Sequence, residues 1–192
     1  TLVLATTTKA VQQLAQAFEA LQRSALDPRV LAQGTGSKTE LLNRFRAAET
    51  GDGAVLVATS SFWEGVDLQG DVLQLLVIDK LPFPPPDDPW VQARWQADEA
   101  AGLQPFRSSV LPSVAVALRQ GVGRLIRSET DRGLLVIGDR RLAQKSYGSY
   151  LRRALPPMTV LPDTDAVHAW VETLMPAAGV VTTPSTTDLS WF

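Results

Sequence analysis

Five short apolar runs, separated by stretches long enough for a helix, limit what this chain can fold into. Leu2–Ala5, Arg29–Gln33, Ala54–Ala58, Val72–Ile78 and Leu134–Ile137 are strand-sized and apolar on both faces through most of their length. Such runs suit strands covered on both sides, which a parallel sheet provides. Met158–Leu161 reads as a sixth. The intervening stretches carry a helical period. Over residues 9–23, Val11, Leu14, Ala15 and Phe18 share one stripe. Ser37, with Glu40 three residues on, reads as a capping box opening a helix to about Glu49. Residues 163–175 read as a last helix. The alternation predicts an α/β fold, a mostly parallel sheet sandwiched between helices. Ligands of such sheets bind beyond the carboxyl ends of the strands. That singles out Thr6–Thr8, Gln33–Gly36, Thr59–Asp67, Asp79–Phe83 and Asp139–Arg141.

A further helical pattern begins near Ser109 and closes on Gln120, Gly121, Val122, Gly123, Arg124, Leu125, Ile126 and Arg127. Val114, Ala117, Leu118, Val122 and Leu125 make its packing stripe. Gln120, Arg124 and Arg127, at i, i+4 and i+7, make a polar stripe beside it. Each of the two glycines costs roughly 1 kcal/mol relative to alanine in a helix, which points to close approach by a backbone or a ligand. Arginine offers a planar fork that matches phosphate. The plain alternative is a solvated face with weak surface ion pairs.

The net charge of −2 excludes a uniformly basic nucleic-acid surface. Charge is nevertheless uneven. Residues 119–153 hold eight arginines and Lys145 against Glu129, Asp131 and Asp139, a local basic patch able to follow phosphates. The absence of cysteine excludes disulfides, thiolate metal sites, cysteine nucleophiles and an iron–sulfur cluster held by this segment. A single histidine, His168, argues against a histidine metal site. No apolar run reaches the ~18 residues of a membrane span, and no signal peptide is evident. Nothing requires an oxidising compartment, so the cytoplasm is the expected location. The chain opens at Thr1 inside an apolar run, which reads as a piece of a longer polypeptide. From Pro176 the composition turns to Thr, Pro, Ser and Gly. The expectation is one domain over 1–175 and a loosely ordered tail over 176–192.

Two near-misses matter. Ala32–Thr39 resembles a Walker phosphate loop, but Ala32 and Ser37 stand where that loop needs glycine. It reads as a strand-to-helix turn. Asp98–Ala101 resembles an acidic magnesium box but lies in a helical stretch, so it reads as a solvated face. Neither part needed to hold a magnesium nucleotide is therefore present. Glu64 and Asp67 flank Gly65 after the third strand. They could bind a ribose, orient an arginine, or simply cap a turn. Phe62 and Trp63 could stack on a base or pack inward. Asp79–Pro89 carries five prolines in eight residues and must leave the sheet as a stiff segment anchored by Phe83.

Taken together these stretches resemble the second motor domain of superfamily 2 DNA helicases of the DinG/XPD type. Gln120, Gly123, Arg124 and Arg127 resemble that family's motif VI, and Ser61–Asp67 its motif V. Lys80–Pro84 with Asp88 and Pro89 resembles the segment after motif V. Arg132–Leu142 resembles the strand after motif VI, and Leu2–Phe18 motif IV with its helix. The set runs in family order over residues 1 to about 155. The resemblance implies a RecA-like fold of P-loop NTPase type, with ATP and Mg2+ held mainly by an N-terminal motor domain of the same polypeptide. An iron–sulfur cluster is possible in that other domain. It implies that Arg127, as arginine finger, and Arg124 reach the triphosphate, and that Gln120 orients the γ-phosphate or the attacking water. Glu64, Gly65, Asp67 and Gly123 would serve the nucleotide site and its coupling to DNA. Thr7, Thr8, Gln33, Thr59, Ser60 and Ser61 would contact single-stranded DNA. The expected function is the C-terminal half of an ATP-dependent DNA helicase of repair or replication. The alternatives are a degenerate helicase-like DNA-binding module of a nuclease, and a small flavodoxin-type ligand-binding domain, which leaves the arginine stripe without a role.

Overall fold

The sheet is built by the alternation of apolar side chains along its strands. The computed structural model describes residues 1–24, 27–48, 53–63, 73–123, 125–126 and 132–174. In chain order the elements are β1 (Leu2–Ala5), α1 (Thr8–Leu21), β2 (Arg29–Ala32), α2 (Lys38–Ala47), β3 (Ala54–Thr59) and α3 (Ser60–Trp63). Then come β4 (Leu75–Ile78), α4 (Pro89–Ala100), a π-helical turn (Phe106–Val110), α5 (Leu111–Val122), β5 (Leu134–Ile137), α6 (Arg141–Gln144), α7 (Gly148–Ala154) and α8 (Thr164–Leu174). The strands lie in the order β2-β3-β1-β4-β5 and every pairing is parallel. Leu2 faces Leu56 on one side and Leu76 on the other.

Because side chains alternate along a strand, the sheet makes two cores. On one face Val3, Ala5, Val55 and Val57 meet Val11 and Ala15 of α1. On the other, Leu2, Leu4, Leu56, Leu76 and Ile78 join a core with Leu41 and Phe45 of α2, Val114 and Leu118 of α5, and Leu151 of α7. Truncating a side chain as enclosed as Leu76 costs about 2–5 kcal/mol. The reading of runs buried on both faces holds for β1 and β3, whose residues are all buried. It fails for β5, where Val136 is 38% exposed. Among the described residues that strand ends the sheet, with β4 as its one neighbour.

Local chemistry sets the helix ends. Thr7 caps α1 by accepting from the Ala10 N–H (3.1 Å), and Ser37 caps α2 by accepting from the Glu40 N–H (3.2 Å). Gly34, at φ +101°, makes the turn between β2 and α2 that side chains resist. Gly148 is required by crowding, since a Cβ there would lie 2.1 Å from the Leu142 carbonyl oxygen. The turn before α5 is widened, with Leu111 N–H donating to the Phe106 carbonyl. Pro112, next in the chain, has no N–H and its ring excludes the carbonyl four residues back, so a wider turn accommodates it.

Three expectations change. The helix stops at Val122 with Gly123 as its cap, and Leu125 and Ile126 are not helical, whereas the expected pattern carried the helix past them. Ala117 is exposed, while Ala115 takes its place in the core. Met158–Leu161 forms no strand. The chain divides into two compact units, Thr1–Pro157 and Met158–Phe192. Within the second, α8 is capped at its start by Asp163, which accepts from the Ala166 N–H (2.8 Å). The tail expected over 176–192 lies outside the described residues.

Candidate functional site

Parallel strands bring all their carboxyl ends to one edge. At the end of β1, Thr7 and Thr8 are exposed at the first turn of α1, where unpaired N–H groups and the helix dipole favour an anion. At the end of β2, Gln33 extends the ladder by donating its backbone N–H to the Val57 carbonyl (2.9 Å). Its side-chain oxygen accepts from the N–H (2.7 Å) and hydroxyl (2.9 Å) of Thr59 at the end of β3. The acceptor side of this amide is therefore engaged, and its NH2 remains available at the edge. Thr59 is buried, while Ser60, the first residue of α3, is exposed. Ser61 follows within α3. The Thr7, Thr8 and Ser60 residues and the Gln33–Thr59 pair thus share this edge.

Beyond β4 and β5 the same edge is closed by a charged clamp. Asp139 is buried and accepts from the backbone N–H groups of Leu81 (2.9 Å) and Arg141 (3.0 Å). The Arg141 side chain grips both of its oxygens through Nε (3.0 Å) and Nη2 (2.6 Å). Burial acts to raise the Asp139 carboxyl, but the Arg141 fork and the two backbone donors outweigh it and hold it at about 2. The Arg141 guanidinium also lies 4.8 Å from the Phe83 ring centre. Phe83 stacks on Phe106 (6.1 Å) and meets Tyr147 edge-on (5.8 Å). The exit loops of β4 and β5 are thereby tied to each other, to α7 and to the turn that opens α5.

Helix α5 begins at this edge and ends at the opposite one. Its entry turn touches Phe83, just after β4. At its far end the Leu125 N–H donates to the Val122 carbonyl (2.9 Å). Leu125 packs so closely on Gly133, just before β5, that a Cβ on Gly133 would fall 2.6 Å from its side chain. The helix therefore runs antiparallel to the strands. From Phe106 to Val122 it spans roughly 25 Å at 1.5 Å per residue. Gln120 is exposed on its last turn, so it is not brought to Thr7, Gln33 and Thr59 but stands at the amino-end side of the sheet. Gly123 has ordinary helical φ (−62°), and a Cβ there would meet the Arg119 carbonyl at 3.1 Å. Its own helix crowds it. Glu64, Gly65, Asp67, Arg124 and Arg127 lie outside the described residues.

Residues 1–158, which include both ends of α5 and the whole sheet, match the family described as helicase C-terminal domain. The chain belongs to that family. It is 47% identical over 155 residues to the ATP-dependent DNA helicase YoaA of Escherichia coli (strain K12), covering 81% of this chain and 23% of that one. It is 40% identical over 156 residues to the ATP-dependent helicase DinG of Mycobacterium tuberculosis (strain ATCC 25618 / H37Rv), covering 81% and 23%. It is likewise 40% identical over 145 residues to the 3'-5' exonuclease DinG of Bacillus subtilis (strain 168), covering 74% and 15%. The solved structure of an XPD helicase superposes with a TM-score of 0.52 at 17% identity, covering 83% of this chain and 28% of that one. The RecA-like fold follows. The chain spans about a quarter or less of the length of these relatives.

Within this helicase domain two networks escaped the reading of the residues. Asp98 is not on a solvated face. It is buried, and the Ser108 (2.6 Å) and Ser109 hydroxyls donate to it, which holds its carboxyl below the usual range. Pro112 within a helical pattern was the available signal, because it widens the turn that carries both serines. The Asp139–Leu81 bond joins residues 58 apart, and no local pattern announces it. Phe62 is buried, with Lys38 Nζ 5.5 Å from its ring centre, so it packs. Phe83 anchors its loop as expected.

Proposed function

We propose that this chain is the C-terminal motor half of an ATP-dependent DNA helicase, acting on single-stranded DNA in repair or replication. The match to helicase C-terminal domains across residues 1–158 carries the reading. ATP with Mg2+ is the substrate, held mainly by the N-terminal motor domain of the same polypeptide. The turn after β2 does not make a phosphate cradle of its own. There the Thr35 N–H and hydroxyl both bond back to the Ala32 carbonyl (3.2 and 2.9 Å).

The proposed division of work follows α5. Arg127 as finger and Arg124 offset charge developing on the transferred phosphoryl group, and Gln120, on the last turn of α5 at the amino-end side of the sheet, orients the γ-phosphate or the water. Gly123, Glu64, Gly65 and Asp67 serve the nucleotide site, and Glu64 and Asp67 couple nucleotide state to the DNA. At the carboxyl edge, Thr7, Thr8, Gln33, Ser60 and Ser61 hold the DNA backbone, while Thr59, buried and donating to Gln33, positions that amide. Neutral hydroxyl, amide and helix-terminal N–H groups suit sequence-independent grip on phosphates. A rigid helix between the two ends lets closure on ATP shift the DNA-holding edge as one body.

A finger carried on a second domain is worth ~10³–10⁵ in rate. In the complete protein, Arg127→Ala is expected to abolish ATP turnover while largely sparing binding of an oligo-dT strand, and the chain alone is expected to show no turnover. Near-normal turnover by the variant, or robust turnover by the chain alone, would refute the assignment. The Bacillus subtilis relative named an exonuclease favours one second reading, a helicase-like DNA-binding module of a nuclease without motor activity. DNA-stimulated ATP turnover by the complete protein excludes it.

A further inference from the structure

Beyond the saturated clamp of Asp139 and Arg141 the chain turns strongly basic. Residues 140–157 hold Arg140, Arg141, Lys145, Arg152 and Arg153 and no acid. This stretch makes α6 and α7, and none of its residues is assigned above to nucleotide or DNA. Two of the five cations serve the fold. Arg141 grips Asp139, and Arg152 Nη1 donates to the Leu142 carbonyl (2.7 Å). Arg140, Lys145 and Arg153 are exposed, and among the described residues their side chains have no hydrogen-bond or ion-pair partner.

Among the described residues, the elements packed against α7 do not cancel that charge. α6 holds no acid. α5, which shares a core with Leu151, carries Arg119, exposed, and no acid. The turn that opens α5 meets Tyr147 through Phe106 and adds Arg107, also exposed. Asp139 and Asp79, at the ends of β5 and β4, are taken by Arg141 and by Lys80 (2.8 Å). Asp98 of α4 is taken by Ser108 and Ser109. Unpaired cations gathered on one surface repel each other and raise the local concentration of anions.

The surface offers an anion more than charge. Tyr150 is 40% exposed and stands three residues before Arg153 on α7, so the two share a helix face. A single strand of DNA presents both a phosphate for the cation and an unstacked base for the ring. An acidic peptide presents only the first. The surface also starts where β5 ends, and β5 lies two strands from β1, roughly 10 Å at the spacing of neighbouring strands. We propose that Arg140, Lys145, Tyr150 and Arg153 form a further contact site for single-stranded DNA, the three cations on phosphates and Tyr150 against a base. The inference rests on the reading of this domain as one that holds single-stranded DNA, and it adds the charge that the hydroxyls and amide of the carboxyl edge lack.

The test measures binding of fluorescein-labelled oligo-dT to the complete protein by anisotropy over a series of salt concentrations. Joint substitution Arg140→Gln, Lys145→Gln and Arg153→Gln should lower affinity tenfold or more at low salt. It should also flatten the plot of log affinity against log salt by about 2, since each phosphate contact on a single strand contributes roughly 0.7. Tyr150→Ala should cost at least fivefold with no change of slope, and Tyr150→Phe should retain most of the affinity. Arg140→Lys with Arg153→Lys keeps the charge and should keep the slope. The same charge removed elsewhere, by Arg23→Gln, Arg29→Gln and Arg44→Gln together, should leave the slope nearly unchanged. A parent protein that binds no oligo-dT would refute the DNA reading of the domain itself. A parent that binds, with affinity and slope untouched by the first triple variant, would overturn this inference alone. So would an equal change in the second triple variant, or a loss confined to duplex DNA or to a glutamate-rich peptide.

Discussion

The carboxyl edge of the sheet has two halves built from opposite materials. On the β1–β3 side the groups proposed to meet DNA are neutral, and most are open. Thr8 and Ser60 are exposed, and Gln33 holds Thr59 through one oxygen while its NH2 stays available. On the β4–β5 side the groups are charged, aromatic and saturated. Asp139 is filled by two backbone N–H groups and the Arg141 fork, and Arg141 lies on Phe83. A side that has donors left can bind something else. A side whose donors and acceptors satisfy one another can only hold shape. Adjacency to a ligand edge therefore does not make a residue a ligand contact; what decides is whether its hydrogen bonds are already taken.

Substitutions on the two sides should separate accordingly. The largest effect on folding is expected at Asp139→Asn, which removes the charge that the Arg141 fork and two N–H groups converge on. A loss of about 2 kcal/mol, on the scale of hydrogen bonds to charged groups, should appear in urea unfolding. Acid sharpens the point. The folded carboxyl, at about 2, lies below its ordinary 3.8. Its stabilisation is therefore complete above pH 4 and fades as pH falls from about 4 toward 2. The gap between the parent and Asp139→Asn should close over that window, and a gap constant down to pH 2 would show the clamp is not electrostatic.

Gln33→Ala is intermediate. It strips one partner from the half-buried Thr59 pair and should cost about 1 kcal/mol in the same unfolding assay. It should also weaken oligo-dT binding by the complete protein. The smallest effects on folding belong to Thr8→Ala and Ser60→Ala, which should stay within about 0.5 kcal/mol of the parent yet lower oligo-dT affinity severalfold. Because these hydroxyls are neutral, the salt dependence of binding should not change slope. Unaltered affinity in both variants would erase the contrast between the two halves.

Much of this was readable locally. The Ser37 cap, the alternation of Leu2, Val3, Leu4 and Ala5 between two cores, and the parallel sheet follow from patterns that repeat within a few residues, whereas the Thr7 cap appears only in the structure. Gln33 and Thr59 were legible as edge residues because each directly follows an apolar run. Their mutual bond was not, since it joins the ends of two strands 26 residues apart. The acidic pair at Asp98 misled for a related reason. Its place in a helical stretch suggests a solvated face, but its actual neighbours, Ser108 and Ser109, arrive through a turn that Pro112 widens.

The order of apolar runs by itself determined that this chain makes a helix-covered parallel sheet, because strand and helix periods act over a handful of residues and need no knowledge of the rest. Tertiary structure alone decided where α5 stops, that Gln120 and Gln33 stand at opposite edges, and that Leu81 meets Asp139. Those outcomes depend on which strands become neighbours. Pairings between distant residues are selected by the packing of whole layers, and no short-range pattern encodes them.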